Sequence, residues 1–314
     1  LKTCAAFYHH TNLRAGNRIF PCCRFKSPIG NFNGNVSTIL TSSAYENLRN
    51  TDVSELSGCA KCMHEESNGK ESLRQWFNKS YDTDSIGLEY LEIGFDNICN
   101  AACDGCWSEF SHTWSKIEKP NASSKSHIIS STEILDIPDT VKEILFLGGE
   151  PLMTNRHKRM LQMVKDLSIM TITYNTNGSF LLDNETVKIL NKCKTVKFIL
   201  SIDGYGELNE KVRKNCTWES VLKFINQIQS TDFDLEIHTV VHKNNWHGLQ
   251  DLQEFISANN LNWRTNILTY PNHLDIANCD NKEKILDYIK NLNIPNKEYV
   301  INHIKESLIE NINT

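Results

Sequence analysis

The stretch Asp96-Asn97-Ile98-Cys99-Asn100-Ala101-Ala102-Cys103-Asp104-Gly105-Cys106-Trp107 follows Leu91-Glu92-Ile93-Gly94-Phe95. The branched and aromatic residues of the earlier run predict a buried strand. The three thiols then fall in the loop just past it. At these spacings they can converge on one inorganic cube, whose fourth iron is left without a protein ligand. Tetrahedral zinc needs a fourth partner, for which His112 is the nearest candidate. Nothing beside Cys106 supplies the closing Cys of a ferredoxin-type run. Chemistry alone favours a three-thiolate iron–sulfur site over zinc, and either over unligated thiols.

The chain has 314 residues, 39% of them hydrophobic, which is room for one large α/β domain and a smaller one. Its formal charge is −5, from 33 Lys plus Arg against 38 Asp plus Glu, with no long basic block. Global charge therefore gives nucleic-acid binding no support. No apolar run is long enough to span a membrane, and the start lacks a secretion signal. The chain begins with Leu, so a few residues are expected ahead of it. Its 11 cysteines are an odd number and crowd towards the N-terminus. Disulfides usually staple smaller secreted cores, so metal or cluster binding in a reducing cytoplasm is expected, for a monomer.

Residues 1–85 read as a first module. Cys4 opens it, and the turn at Arg14-Ala15-Gly16-Asn17-Arg18 predicts a hairpin ending at Ile19-Phe20-Pro21-Cys22-Cys23. Thr41–Asn50 reads as a short helix capped by Ser42 or Ser43. Cys4, one of Cys22 or Cys23, Cys59 and Cys62 are enough thiolates for a four-ligand site, which suits zinc and iron–sulfur alike.

From residue 86 to 271 strands alternate with helices. Runs at 89–95, 143–147, 171–175, 196–202, 235–241 and 263–268 read as strands. Helical patterns cover Arg156–Leu167, Asn184–Leu190, Trp218–Ile228 and Leu249–Ser257. Six βα units predict a parallel sheet with helices outside. The polar segment Trp107–Thr140 reads as a loop lining a site mouth. Residues 272–314 predict two amphipathic helices, Lys282–Leu292 and Tyr299–Ile312, and no further cluster, since Cys279 stands alone.

Cys99-x3-Cys103-x2-Cys106 resembles the cluster motif of the radical S-adenosylmethionine (radical SAM) enzymes, and Gly148-Gly149-Glu150-Pro151 resembles their second motif. Gly105 stands where the family commonly has an aromatic residue. The resemblance implies a partial (β/α)6 barrel. Residues 1–85 resemble the twitch type of auxiliary-cluster domain, on Cys4 with His10 behind it, Gly16 before Pro21-Cys22-Cys23, Gly34-Asn35-Val36, and Cys59-x2-Cys62 followed by Glu66, Gly69, Ser72 and Arg74. A four-iron cluster held by Cys4, Cys59, Cys62 and either Cys22 or Cys23, with Cys22 favoured, is what this implies.

The same resemblance implies S-adenosylmethionine as cofactor and two [4Fe–4S] clusters, with reductive cleavage to methionine and a 5′-deoxyadenosyl radical. Gly148 and Gly149 expose backbone where a side chain blocks ligand approach, with Glu150 nearby. Thr176 and Asn177 end the third barrel strand, at the carboxyl edge where ligands sit. Ser201 and Asp203 close the fourth, and Arg213 suits a carboxylate. His238, Thr239, Asn244, Asn245 and Asn266 are further pocket candidates, whereas Cys193 and Cys216 read as structural. Oxidation or cross-linking of a peptide side chain or small molecule is expected, with the auxiliary cluster as electron acceptor and a flavodoxin or ferredoxin as donor. A zinc-stabilised binder or an iron–sulfur redox sensor is the alternative.

Overall fold

The computed structural model describes residues 1–310. In chain order its strands are β1 (His10–Arg14), β2 (Arg18–Phe20), β3 (Gly30–Asn31), β4 (Tyr90–Gly94), β5 (Ala102–Cys103), β6 (Glu143–Leu147), β7 (Thr171–Thr176), β8 (Thr195–Ser201), β9 (Arg213–Lys214), β10 (Asp234–Val241) and β11 (Asn262–Ile267). The fold is α/β, with mixed strand pairing and flanking helices, and the residues divide into two units.

The first unit comprises Leu1–Ile98, Ser123–Tyr174 and Leu182–Val196. Its strands run β7-β6-β4-β1-β2-β3. The contacts β7-β6-β4 are parallel, as alternating strands and helices require. Period-two burial follows, with Leu91, Ile93, Ile144, Phe146, Ile172 and Tyr174 all buried on one face. Phe146 stacks on Tyr174 at 4.9 Å between ring centres.

The hairpin expected around Gly16 is present, turned by Gly16 and Asn17 at φ 81° and 62°. Its β1 also pairs in parallel with β4, from His10↔Tyr90 to Leu13↔Ile93. The sequence shows two short extended runs but not this partner. On the other face of that pair, Glu92 is buried among Asn12, His10 and Tyr90, with the Tyr90 hydroxyl donating at 3.3 Å.

The helix Ser43–Asn50 starts one residue after Ser42, close to the predicted position. Residues 128–136 form a strap over the hairpin loops. Ser131 Oγ donates to Arg14 O at 3.2 Å, and Leu135 N to Gly34 O at 2.8 Å. Buried Arg156 ties the strap down, donating to Phe95 O, Ser130 Oγ and Ser131 O at 2.7–3.0 Å. The helix expected over Arg156–Leu167 stops at Leu161. Asp166 instead caps the turn Leu167–Ile169, accepting from Ser168 N.

Next to Arg156, the His157 imidazole bonds the Tyr174 hydroxyl at 2.8 Å through Nδ1. Burial pushes this imidazole down to about 4. In the unfolded chain it titrates near about 6.5, so between these values the unfolded state binds the additional proton. Stability is therefore expected to fall as pH drops through this window, by roughly 3 kcal/mol in all. Urea unfolding from neutral pH down to about pH 4 should show a shallower loss for His157→Gln than for the wild type. Parallel curves would refute it.

The second unit comprises Cys99–Ala122, Asn175–Leu181 and the chain from Lys197 onward. Its strands β8-β10-β11 are parallel, registered from Asp234↔Lys197 and Glu236↔Asn262. Phe198, Leu200, Ile237 and Val241 face the helices, where Trp218–Gln229 buries Val221, Phe224, Ile225 and Ile228. A separate antiparallel ladder pairs β5 with β9, Ala102↔Lys214 and Cys103↔Arg213. Strands of two residues carry no readable period, so the sequence gives no sign of it. The C-terminal helices Lys282–Lys290 and Lys297–Glu310 are near their predicted positions, though the expected end at Ile312 lies outside the described residues. They pack with Val241, Ile267 and Ile276. Among the described residues no helix is long and apolar enough to cross a membrane.

Candidate metal centre and cofactor site

In the second unit, the helix His112–Glu118 fixes the cysteine loop by its backbone. Ser111 Oγ donates to Ala101 O at 2.6 Å, Thr113 Oγ1 to Cys99 O at 2.7 Å and Trp114 Nε1 to Cys103 O at 2.8 Å. His112, the zinc candidate, accepts the Cys99 amide on Nδ1 at 3.1 Å. That ring nitrogen backs the loop rather than reaching for a metal. Opposite, Asp104 N donates to Val212 O at 2.8 Å beside the β5–β9 ladder. A Cβ at Gly105 would meet the end of the Leu268 side chain, Cδ1 at 2.8 Å, which can rotate aside. Trp107 instead packs edge-on to Phe110 and Tyr270 at 4.9 and 5.4 Å.

None of the described cysteines forms a disulfide. Burial pushes the Cys106 thiol up to about 12, with Cys103 adding to it. Cys103 is raised as well, by the neighbouring Cys216 thiol and by burial. Buried thiols of this kind keep their protons until a cation compensates the thiolate charge. An iron–sulfur cluster is such a cation source, and this all-sulfur donor set fits it.

Several predicted residues gather round the loop. Asn177 Nδ2 donates to Asn100 Oδ1 at 2.9 Å and to Cys99 Sγ at 3.8 Å. Thr176 Oγ1 accepts from Gly178 N at 3.2 Å. The Asp203 carboxylate accepts from Val240 N at 2.8 Å and from Arg213 Nη1 at 2.6 Å. Arg213 thus meets an internal carboxylate, while its buried Nε has no hydrogen-bond partner. An orphaned cationic N–H beside thiols fits an anionic ligand group. Ser201 Oγ donates to Asn175 Oδ1 at 3.4 Å.

Asn244 Nδ2 reaches Asp104 Oδ2 at 2.8 Å, and buried Asn245 donates to Asp203 O at 2.8 Å. His238 bonds Glu236, Thr239 Oγ1 donates to Ile202 O at 2.6 Å, and Asn266 Oδ1 accepts from Ile267 N. Sequence reasoning missed Asn100, which accepts from Asn177 and whose Nδ2 donates to Ser179 Oγ at 2.9 Å, and Asn209, whose Oδ1 accepts from Asp203 N at 3.0 Å. Isolated polar residues in loops have no period to announce them.

In the first unit, Gly148 has φ 117°. Gly149 N donates to Asp96 O at 3.1 Å and Glu150 N to Ile98 O at 2.8 Å. The close approach that demands Gly149 is to backbone, since a Cβ there would lie 2.3 Å from Ile98 O. Glu150 is buried and accepts from Leu152 N at 3.1 Å.

Cys4, Cys22, Cys59 and Cys62, also in this unit, are buried, whereas Cys23 is exposed and its carbonyl accepts from Arg14 at 3.4 Å. Burial pushes Cys4 up to about 12, and Cys59 and Cys62 add to it. Cys22 is raised by burial, then by Cys23 and, more weakly, by Cys4. Glu66, Ser72 and Arg74 close a network beside them, with Arg74 gripping both Glu66 oxygens at 2.7–2.8 Å and Thr3 O at 2.9 Å. Among the described residues no three His, Cys, Asp or Glu side chains converge tightly enough to enclose a single metal ion. A multi-iron cluster spreads its thiolates more widely than a single ion does.

Residues 94–256 match the radical SAM superfamily. A GTP 3′,8-cyclase of Campylobacter lari is 27% identical over 177 residues, covering 55% of this chain and 52% of that protein. An S-adenosylmethionine-dependent nucleotide dehydratase of Lacinutrix mariniflava is 28% identical over 171 residues, covering 51% and 34%. The chain spans about half the length, or less, of the curated relatives it matches. Among solved structures, native anSMEcpe with bound AdoMet matches 66% of this chain and 60% of its own, at TM-score 0.48 and 17% identity. Streptococcus suis SuiB matches 81% and 54%, at TM-score 0.42 and 16% identity.

Proposed function

The chain belongs to the radical SAM superfamily, and from that premise we propose that it cleaves S-adenosylmethionine reductively at a [4Fe–4S] cluster held by Cys99, Cys103 and Cys106. The observation that carries this reading is the framed loop itself. Its three thiols belong to no disulfide, and the unpartnered Nε of Arg213 lies among the same second-unit residues. When bound, the cluster supplies the electron that splits the cofactor into methionine and a 5′-deoxyadenosyl radical, which takes a hydrogen atom from the substrate.

The chain's own work is placement. Arg213, oriented by Asp203, offers a donor to the cofactor carboxylate. Thr176, Asn177 and Ser201 contribute polar contacts at strand ends. Gly148, Gly149 and Glu150 present backbone to the amino group. Strands β4, β6, β7, β8, β10 and β11 are read as the six strands of the partial (β/α)6 barrel of residues 86–271. Residues 1–85 are read as a twitch-like module whose Cys4, Cys22, Cys59 and Cys62 hold a second [4Fe–4S] cluster. Cys22 is preferred to Cys23 because it is buried and feels Cys4. The second cluster supplies an acceptor for the substrate electron, and a flavodoxin or ferredoxin the donor for the first. The substrate is a peptide side chain or a small molecule, a class that the nucleotides in the relatives' names extend.

Anaerobic purification with iron and sulfide counted per chain, then addition of dithionite and S-adenosylmethionine, tests this. About eight irons and 5′-deoxyadenosine formation are expected. About four irons would remove the second cluster from the reading. Zinc, or iron with no nucleoside, would make the protein a metal-stabilised binder or sensor.

A further inference from the structure

Asn177, just past β7, has both ends of its side-chain amide fixed by neighbours in the second unit. Its Oδ1 accepts from Ser179 N at 2.9 Å, and a backbone N–H can only donate, so the oxygen must lie on that side. Its Nδ2 therefore faces the other way, donating to Asn100 Oδ1 at 2.9 Å and to Cys99 Sγ at 3.8 Å. Sulfur's larger radius lengthens the second bond. Asn100 is locked by the same logic. Its own Nδ2 donates to Asn215 O at 3.0 Å and to Ser179 Oγ at 2.9 Å, and a carbonyl can only accept, which leaves Oδ1 turned towards Asn177. Asn177 and Cys99 are 5% and 8% exposed, so water competes little for the bond between them.

We propose that Asn177 is a positioning residue for a cluster at Cys99, Cys103 and Cys106, which holds the Cys99 sulfur and raises the cluster's reduction potential by donating a side-chain N–H to it. This rests on the cluster reading given above and gives Asn177 a definite partner within it. The direction of the bond does not depend on the metal. An amide N–H donates whether Cys99 is a thiol or a thiolate, and the thiolate accepts more strongly because it is charged. A cluster gains negative charge on reduction, so a donor to a ligand sulfur stabilises the reduced form more than the oxidised one. Without that donor the cluster is harder to reduce.

The test is a redox titration of the anaerobically reconstituted protein, followed by electron paramagnetic resonance on the signal that changes when S-adenosylmethionine is added. Asn177→Ser suits it, because a serine hydroxyl still accepts from the amide two residues on and keeps the turn, yet is too short to reach the Cys99 sulfur. At a fixed potential this variant is expected to show a reduced-to-oxidised ratio roughly three- to tenfold lower than the wild type, the worth of one such hydrogen bond. A purely structural role would not move that ratio. Asn177→Ser titrating with the wild type, at equal iron content, overturns the proposal. If the variant does not load iron, wild-type protein carrying asparagine labelled with nitrogen-15 at its side-chain amide decides. A nitrogen hyperfine coupling to the reduced cluster that changes with the label supports the bond, and none overturns it. A wild type with no signal responsive to S-adenosylmethionine overturns the underlying cluster reading and this proposal with it. A responsive signal that neither the substitution nor the label alters overturns only the role of Asn177.

Discussion

Replacing Gly149 with Ala is expected to destabilise the protein by roughly 3 kcal/mol or more, at the upper end for forcing a methyl group into a filled space. The added Cβ would lie 2.3 Å from Ile98 O, 2.6 Å from Ile98 C and 2.8 Å from Asn97 C. All three atoms are backbone, so no side chain can rotate away. Nor can the backbone retreat freely, because Gly149 N and Glu150 N bond Asp96 O and Ile98 O on the same segment. Asn97 is pinned in turn, its Nδ2 donating to His127 O at 3.0 Å and its Oδ1 accepting from Ile129 N at 2.8 Å. Relief of the clash therefore has to break hydrogen bonds or displace the strap. Gly87→Ala is the control, since its Cβ would meet Thr140 Cγ2 at 3.7 Å and Thr140 Cβ at 3.9 Å, ordinary contact, and it should be nearly neutral. Equal unfolding midpoints in urea for the two variants would refute the argument.

The Gly pair also shows where the sequence is readable and where it is not. Its position after a strand reads as backbone kept clear for a ligand to approach. What fills the space is the backbone of Ile98, from a segment fifty-odd positions earlier, which no local pattern announces. The barrel-type strands were legible within a residue or two because period-two burial is written locally: Val196, Phe198 and Leu200 are buried while the residues between them are half-exposed. The pairing of β1 with β4 was not legible, because a strand's period names its faces and not its neighbour. In the cysteine loop the ligand set stands out by residue type and spacing. The groups that hold it do not. Asn100 and Asn215 hold it through each other, far apart along the chain, and Asn215 matters for a backbone angle as much as for its amide.

Cys106→Ala is expected to remove about four irons per chain and to abolish 5′-deoxyadenosine formation, while leaving the fold nearly as stable as before. The asymmetry follows from what Cys106 does in the protein alone. Its thiol makes one weak bond, donating to Trp107 O at 3.7 Å, and it is half-buried rather than part of the core. The loop is held by other groups, through Ser111, Thr113 and Trp114 on the carbonyls of Ala101, Cys99 and Cys103. Its truncation therefore costs little packing. With two thiolates left, the loop would not retain a four-iron cluster, and its whole complement of about four irons would go to solvent or chelator. Cys59→Ala in the first unit separates the two proposed centres. It is expected to lose a similar amount of iron, through the second cluster, yet to keep forming the nucleoside. Iron counts, nucleoside yield and urea midpoints on the two variants decide the matter. Nucleoside formation surviving in Cys106→Ala would take the radical chemistry away from this loop, and its loss in Cys59→Ala would make the two centres interdependent rather than separate.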